Sequence, residues 1–463
     1  VLSGVVKFVG VGTCTLTPSA TATTDYAAVT GNMQSFAVNK ATATIIISNL
    51  PSGAVYGGSF TPAYTYSGSG SPTESLTSST TTICTVSSGV VKFVGAGTCT
   101  LTPSATATTD YGAVTGSMQS FAVKKAVLTV TANNASRAYG LANPTFTAAY
   151  NGYVNGDSFA TAVTGSPSLT TAAVVTSLPG SYPIFASQGT LASAKYTFSF
   201  VSGTLIVAFT GSVPASSSAC NGAYSGTFQG NLSVAGTQNC VFVGGGATGN
   251  ITETGGNVVL GSATVGGNLI VSGGTFSIGP TTTIKGNFTV QSIPTGAAQN
   301  QICGTSVGGS LVLQSVGTAA VIGSGSTSCP GNTISGSLVL QANKAAIGLT
   351  GNTVDGSLTD QSNTASTTLS GNTVNGSLTD QGNAGASVVT LNLVKGNLID
   401  QSNSASSVLS LNTVGANLTD QGNTAPTQVT SNKVTGILLC QSNSSITGSG
   451  NTASKKQGQC ANF

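Results

Sequence analysis

The sequence predicts an all-β protein in which β-sandwich modules precede a parallel β-solenoid of about eleven rungs. Three observations predict it. A stretch near the N-terminus recurs almost unchanged 85 positions later, the second half repeats every 20 residues, and short runs alternate apolar with polar residues between Gly, Pro and Ser turns. Alternation marks strands, and a fixed period marks stacked structural repeats. Only 5% of residues are charged, against about 25% in an ordinary soluble domain. Low charge with many polar residues is also a mark of disorder, but the strict spacing of the apolar residues argues against it.

The N-terminal repeat runs SGVVKFVGVGTCTLTPSATATTDYAAVTGNMQSFAV over Ser3–Val38 and SGVVKFVGAGTCTLTPSATATTDYGAVTGSMQSFAV over Ser88–Val123. VVKFVG, TCTLTPS and SFAV read as strands, so each repeat is one sandwich module. The expected domains are an incomplete module over 1–38, a full module over 39–124, a further β module over 125–210 and the solenoid over 211–463.

Nine cysteines, none in a CxxC spacing, predict an oxidising compartment and disulfides rather than a zinc or redox site. Taken in order after Cys14 they form sequence-local pairs: Cys84–Cys99, Cys220–Cys240, Cys303–Cys329 and Cys440–Cys460. The repeat places the equivalent partner of Cys14 outside the sequence, which leaves Cys14 unpaired and the first module incomplete. Two readings follow: the module is truncated upstream, or a neighbouring subunit completes it by adding a strand to an open sheet edge.

From Gly331 onward the 20-residue period aligns columns of one residue type. Leu338, Leu358, Leu378, Leu398, Leu418 and Leu438 form one column, and Ile334, Val354, Val374, Val394, Val414 and Val434 another. Asn332, Asn352, Asn372, Asn392, Asn412 and Asn432 form a third, and Asn343, Asn363, Asn383, Asn403, Asn423 and Asn443 a fourth. Stacked coils bring equal positions together, so Leu and Val fill the interior while Asn amides ladder along the axis at turns. Leu232, Ile251, Leu269, Phe288 and Leu311 extend the Leu column backwards, with looser spacing near Pro294 and Cys329. Cys220–Cys240 and Cys440–Cys460, each one coil apart, are expected to staple the two ends, where a terminal rung lacks one neighbour.

The segment ICTVSSGVVKFVGAGTCTLTPSA resembles the bacterial Ig-like repeats of secreted and surface proteins. Residues Leu128–Val207, with Tyr139-Gly140, Asn143-Pro144, Asn155-Gly156-Asp157 and Gly180-Ser181-Tyr182 in order, resemble the MBG domain of large bacterial adhesins and haemagglutinin-like proteins. That resemblance implies a spacer or stalk module on an exported protein, with no catalytic residues.

The chemistry that remains is sparse. Without His there is no imidazole base, no Ser-His-Asp or Cys-His pair and no His metal ligand. The rungs from Gly331 to Cys440 hold Lys344, Lys395 and Lys433 but no Arg, and no aromatic residue lies between Phe288 and Phe463. A carbohydrate-cleaving solenoid would want grouped basic residues and an aromatic platform. No enzymatic activity and no cofactor are therefore expected. The column Asp360, Asp380, Asp400 and Asp420 admits three readings: a solvated turn, which is preferred, a bound cation such as Ca²⁺, or carboxyls of raised pKa. Thr columns that would suit ice binding are broken by Leu393, Lys433 and Ile399.

No stretch is long and apolar enough to cross a membrane, and no charged segment followed by an apolar one opens the chain, so any signal peptide is expected to be already removed. The net charge of +3 is too thinly spread to suggest nucleic acid or anionic lipid as a partner. The expected role is a non-catalytic extracellular one, as an adhesin stalk or the subunit of a filament that self-associates through the incomplete first module. The alternative is a solenoid face that binds glycans or surfaces.

Overall fold

In a computed structural model the described residues are 4–296 and 300–463. Val1, Leu2 and Ser3, at the start of the first repeat copy, lie outside them. The chain is all-β, with one four-residue helix among the described residues, at Phe159–Ala162, and divides into two compact units.

The first unit comprises Val1–Ala135, Thr145–Ala172 and Tyr182–Leu205. In the second copy of the repeat, Gly97–Ala105 pairs antiparallel with Gln119–Val123 on one side and with Glu74–Ser78 on the other. A second sheet joins Val90–Phe93 to Cys84–Ser87 and Ser59–Phe60. The Cys84–Cys99 disulfide ties the two sheets, with Cα atoms 5.7 Å apart. Around it pack Ile47, Ala54, Val91, Phe93, Leu101 and Val123. Phe60, Phe93 and Phe121 meet with ring centroids 5.7–6.0 Å apart, two of the three contacts edge-to-face.

The strand Ala126–Ala132 lies between Ala148–Asn151, antiparallel, and Tyr196–Val201, parallel. Its inward residues Leu128 and Val130 pack with Tyr196 and with Tyr56, which comes from the preceding module. Tyr56 Oη and Tyr196 Oη both donate to Asp157 Oδ2, at 2.7 and 3.0 Å, and Lys195 Nζ stands 3.1 Å from Asp157 Oδ1. The two modules therefore share a core and a closed polar cluster.

The second unit holds Ser136–Pro144, Ala173–Ser181 and Ile206–Phe463. Its bulk is a three-sided parallel solenoid built from sheets of 12, 11 and 12 strands. One coil shows the plan. Thr367–Ser370 lies on the first face, Thr373–Val374 on the second and Leu378–Gln381 on the third, and the next coil begins at Ser387. Each strand pairs in register with its equivalent one coil on, so Leu358, Leu378, Leu398 and Leu418 stack directly. All four are fully buried, as are Val354, Val374, Val394 and Val414. Val354 and Leu358 both point inward, but from different faces, because the chain turns at Gly356, where a Cβ would stand 2.6 Å from Ser337 Oγ.

Where the sequence showed eleven rungs, the third face has a twelfth strand, Lys455–Gly458, which pairs with Ile437–Cys440. It carries no leucine: Lys456 takes the place below Leu438 and donates from Nζ to the Phe463 carbonyl. Cys440–Cys460 and the Phe463 ring, packed against Gly448, close this end, and Cys220–Cys240 ties the first coils. Cys303–Cys329 spans the irregular middle, where a bulge falls between Ile322 and Ser324.

The Asn columns are interior structure. Asn352 Nδ2 donates to Asn372 Oδ1 at 3.0 Å, Asn372 to Asn392 at 3.0 Å and Asn392 to Asn412 at 3.1 Å, and each side chain is almost wholly buried. The same Oδ1 also accepts the backbone N–H of the preceding Asn, and each Nδ2 reaches a carbonyl such as Leu369 O from Asn392. Every amide is thus satisfied along the axis, which dry burial requires. Replacing Asn392 by Ala should strand the backbone N–H of Asn372, leave its Nδ2 with the Leu349 carbonyl alone, and remove the donor to the Leu369 carbonyl. The expected loss is about 3 kcal/mol of solenoid stability, read as a lowered urea midpoint, whereas Thr368→Ser at an exposed position should change it by less than about 0.5 kcal/mol.

Candidate functional site

Two features could carry function or regulation: the acidic column inside the solenoid, and the open face of the first module.

The acidic column follows from strand alternation. Leu358 and Asp360 are two apart on one strand, so both point inward. Asp360, Asp380, Asp400 and Asp420 have no exposed surface at all. The solvated-turn reading is therefore overturned: the carboxyls sit in the core, in the column that holds Leu313 and Leu340 in earlier coils and Cys440 in a later one.

Donors meet them there. Asp360 Oδ1 accepts from Asn363 Nδ2 at 2.5 Å and Oδ2 from Thr367 Oγ1 at 2.6 Å. Asp380 accepts from Asn383 Nδ2 and, at 2.5 Å, from Ser387 Oγ. Asp400 accepts from Asn403 at 2.5 Å and Asn423 at 2.9 Å, and Asp420 from Asn423 at 2.6 Å and Asn443 at 2.8 Å. Among the described residues no group of three or more His, Cys, Asp or Glu side chains is placed to hold a metal, and the oxygens face N–H and O–H hydrogens instead.

A second column completes the site. Ile347, Thr367, Ser387, Ser407, Thr427 and Ile446 stack on the first face. Where the third face carries Leu340, its counterpart is Ile347; where it carries Asp, the counterpart is Thr or Ser; at Cys440 apolar Ile446 returns. The two columns switch chemistry together, from apolar pair to carboxyl–hydroxyl pair and back. That joint switch is visible in the sequence and, with the Leu-x-Asp alternation, was the signal that places the acids inside.

Further back, Glu253 occupies the same third-face column, fully buried, with its Oε2 accepting from the Ser272 backbone N–H at 3.0 Å. A lone Glu in an irregular early coil carried no columnar signal, and sequence reasoning missed it.

Burial sets the charge state. It pushes Asp360 and Asp400 well above the usual carboxylate range, and the neighbouring Asp380 pushes both further. Burial raises Asp420 to about 6 and Glu253 to about 7, the latter against backbone N–H donors that favour the anion. Carboxyls one strand spacing apart, about 4.8 Å, cannot all ionise in a dry interior. Near neutrality Asp360 and Asp400 therefore favour the protonated form, in which a carboxyl can donate as well as accept.

The first module presents the opposite case. Gly12–Leu16 pairs with Gln34–Val38 and sets Cys14 opposite Phe36, as Gly97–Leu101 pairs with Gln119–Val123 and sets Cys99 opposite Phe121. Yet Phe8 is 60% exposed where its equivalent Phe93 is 3% exposed, and Phe36 and Val5 are exposed too. Cys14 is a free thiol where Cys99 is buried in a disulfide. The same residues thus cover a core in one copy and face outward in the other.

Residues 128–206 match the family model of the MBG domain (YGX type). The landmarks of that segment have structural work. Asn143 Oδ1 accepts from the buried Arg137 Nε at 2.7 Å, and the Tyr139 hydroxyl accepts from Asn239 Nδ2 at 2.8 Å. No curated protein matches the chain.

Two outcomes follow from the acidic column. An acid whose folded pKa lies above its unfolded value stabilises fully below the unfolded pKa, and that stability is lost as pH rises through the folded one. With Asp420 moving from 3.8 to about 6, about 3 kcal/mol should vanish over that span from this group alone. The urea midpoint of the solenoid is expected to fall from pH 4 to pH 7, and a flat or rising profile would refute a protonated column. The Leu340–Ile347 coil supplies the template for the second test. Ser387→Ile alone strands Asp380 Oδ2 and should cost about 1–3 kcal/mol, whereas Asp380→Leu with Ser387→Ile should be near neutral or stabilising. A double-mutant cycle reads the coupling directly.

Proposed function

We propose that this chain is a non-catalytic structural and adhesive protein of the extracellular space, in which the modules act as a stalk and the solenoid as a rigid body. The observation that carries the reading is the solenoid interior. Apolar columns, amide ladders and the acidic column are wholly spent on packing one coil against the next. The four aspartates of the column are locked in that interior. Four disulfides support an oxidising compartment, and the MBG domain supports a surface or adhesin-like protein. No helix among the described residues is long and apolar enough to cross a membrane.

The finer part of the reading concerns assembly. The exposed apolar face around Phe8 and Phe36, beside the Cys14 thiol, is suited to receive strands from a neighbouring subunit, as residues 45–84 cover the equivalent face in the second copy. Electron microscopy of native material, with light scattering of the purified chain, tests this. Fibres of regular subunits that Phe8→Ser with Cys14→Ser abolishes are the expected result. A dispersed monomer at all concentrations, with no fibres on cells, would remove the assembly reading and leave a monomeric adhesin, to be probed by glycan and surface binding.

A further inference from the structure

One corner of the solenoid breaks its own rules on two consecutive coils. At the turn from the first face to the second, the chain adopts a left-handed conformation at Gly351, Gly371, Leu391, Leu411 and Ser431. Glycine takes that conformation freely, and a bulky residue does so rarely and under strain. Leu391 and Leu411 nevertheless sit there at φ 60° and 58°, with 58% and 53% of their surface exposed. Neither closing the turn nor filling the core calls for them, since Gly351 and Gly371 make the same turn.

The surroundings change in step. The outward column of the second face reads Thr333, Thr353, Thr373, Leu393, Thr413, Lys433, and Leu393 is 43% exposed. The outward column of the first face reads Gly348, Thr368, Val388, Val408, Gln428. Five apolar side chains, Val388, Leu391, Leu393, Val408 and Leu411, thus gather on two coils of a surface otherwise built of Thr, Ser, Gly and Gln. Strained residues in exposed positions mark functional surfaces more often than structural ones.

Charge identifies what such a patch fits. Lys395 lies two residues beyond Leu393, and Lys433 stands two coils along the same column, about 10 Å away. From Gly331 to Phe463 the sequence has five lysines and five aspartates. Four of those aspartates are the buried column, so the surface there presents Lys344, Lys395, Lys433, Lys455 and Lys456 against Asp355 alone. Two copies meeting patch to patch would crowd lysines with one carboxylate each to offset them. An apolar knuckle flanked by exposed cations matches instead a surface that is negative outside and apolar just beneath.

We infer that this corner docks the solenoid on an anionic lipid bilayer. The three leucines enter the boundary between headgroups and acyl chains, while Lys395 and Lys433 meet lipid phosphates. The attachment is peripheral and independent of the assembly proposed above.

Vesicle co-sedimentation of the full chain tests it, with phosphatidylcholine vesicles against vesicles containing about 30% phosphatidylglycerol. The wild type should bind the anionic vesicles at least about tenfold more tightly than the neutral ones, and less so in high salt. The variant L391G/L393T/L411G carries the residues of neighbouring coils. It should melt no lower than wild type and lose vesicle binding. K395N/K433T should lose the preference for anionic lipid. The inference is overturned if the wild type binds neither vesicle, if the leucine variant binds as well as wild type, or if the lysine variant keeps the full preference. It is equally overturned if, without lipid, the wild type dimerises through this patch and the leucine variant does not.

Discussion

Parallel stacking with every residue on its own equivalent is the constraint on which the solenoid depends. Coils about 4.8 Å apart, paired in register on all three faces, set each side chain directly on its equivalent in the coils above and below. Leucine tolerates that arrangement trivially. Asparagine profits from it, because the amide carries a donor and an acceptor that align along the axis, as Asn372 and Asn392 do at 3.0 Å. Aspartate tolerates it only by holding protons and by recruiting donors from the next column. The tolerated chemistry of each column is set by that one geometric fact, and so is the need to close both ends covalently, where a coil has a neighbour on one side only.

The columns were legible in the sequence because stacking forces repetition, and repetition is what a sequence displays. Leu358, Leu378, Leu398 and Leu418 and the Asn ladder could be read from the 20-residue period, and the pairing partners of eight cysteines from their order along the chain. The depth of the aspartates could not be read from residue type, since an acid ordinarily belongs outside. It could be read from position, two residues after an inward leucine, and from the hydroxyl column that switches with it. The twelfth third-face strand escaped because Lys456 replaces leucine at a coil with no further neighbour to pack against. Glu253 escaped because a single occurrence forms no column.

The N-terminal repeat makes the complementary point. Phe8 and Phe93 share their local sequence, yet one is mostly exposed and the other buried. Strand formation follows the local sequence in both copies, with Cys14 and Cys99 facing equivalent phenylalanines. Core formation does not, because it needs the opposing sheet and the cysteine of residues 45–84. Local propensity and tertiary cover are separable requirements, and the second copy meets the latter through residues 45–84.

The interior and exterior of the solenoid are linked through charge. A tally of formal charges gives +3 for the whole chain and counts every aspartate as negative. Burial favours the neutral form of Asp360 and Asp400, so these two aspartates do not supply the negative charges that the tally counts. The lysines outside then lack the counter-charges that the sequence appears to supply, and the field around these coils is more positive than composition implies. Mutual repulsion among carboxyls in the core and the cationic character of the surface thus have one cause, the inward placement of the acidic column. Replacing Asp360 or Asp400 by leucine would leave the surface field near neutral pH almost unchanged, whereas turning either of them outward would alter it at once.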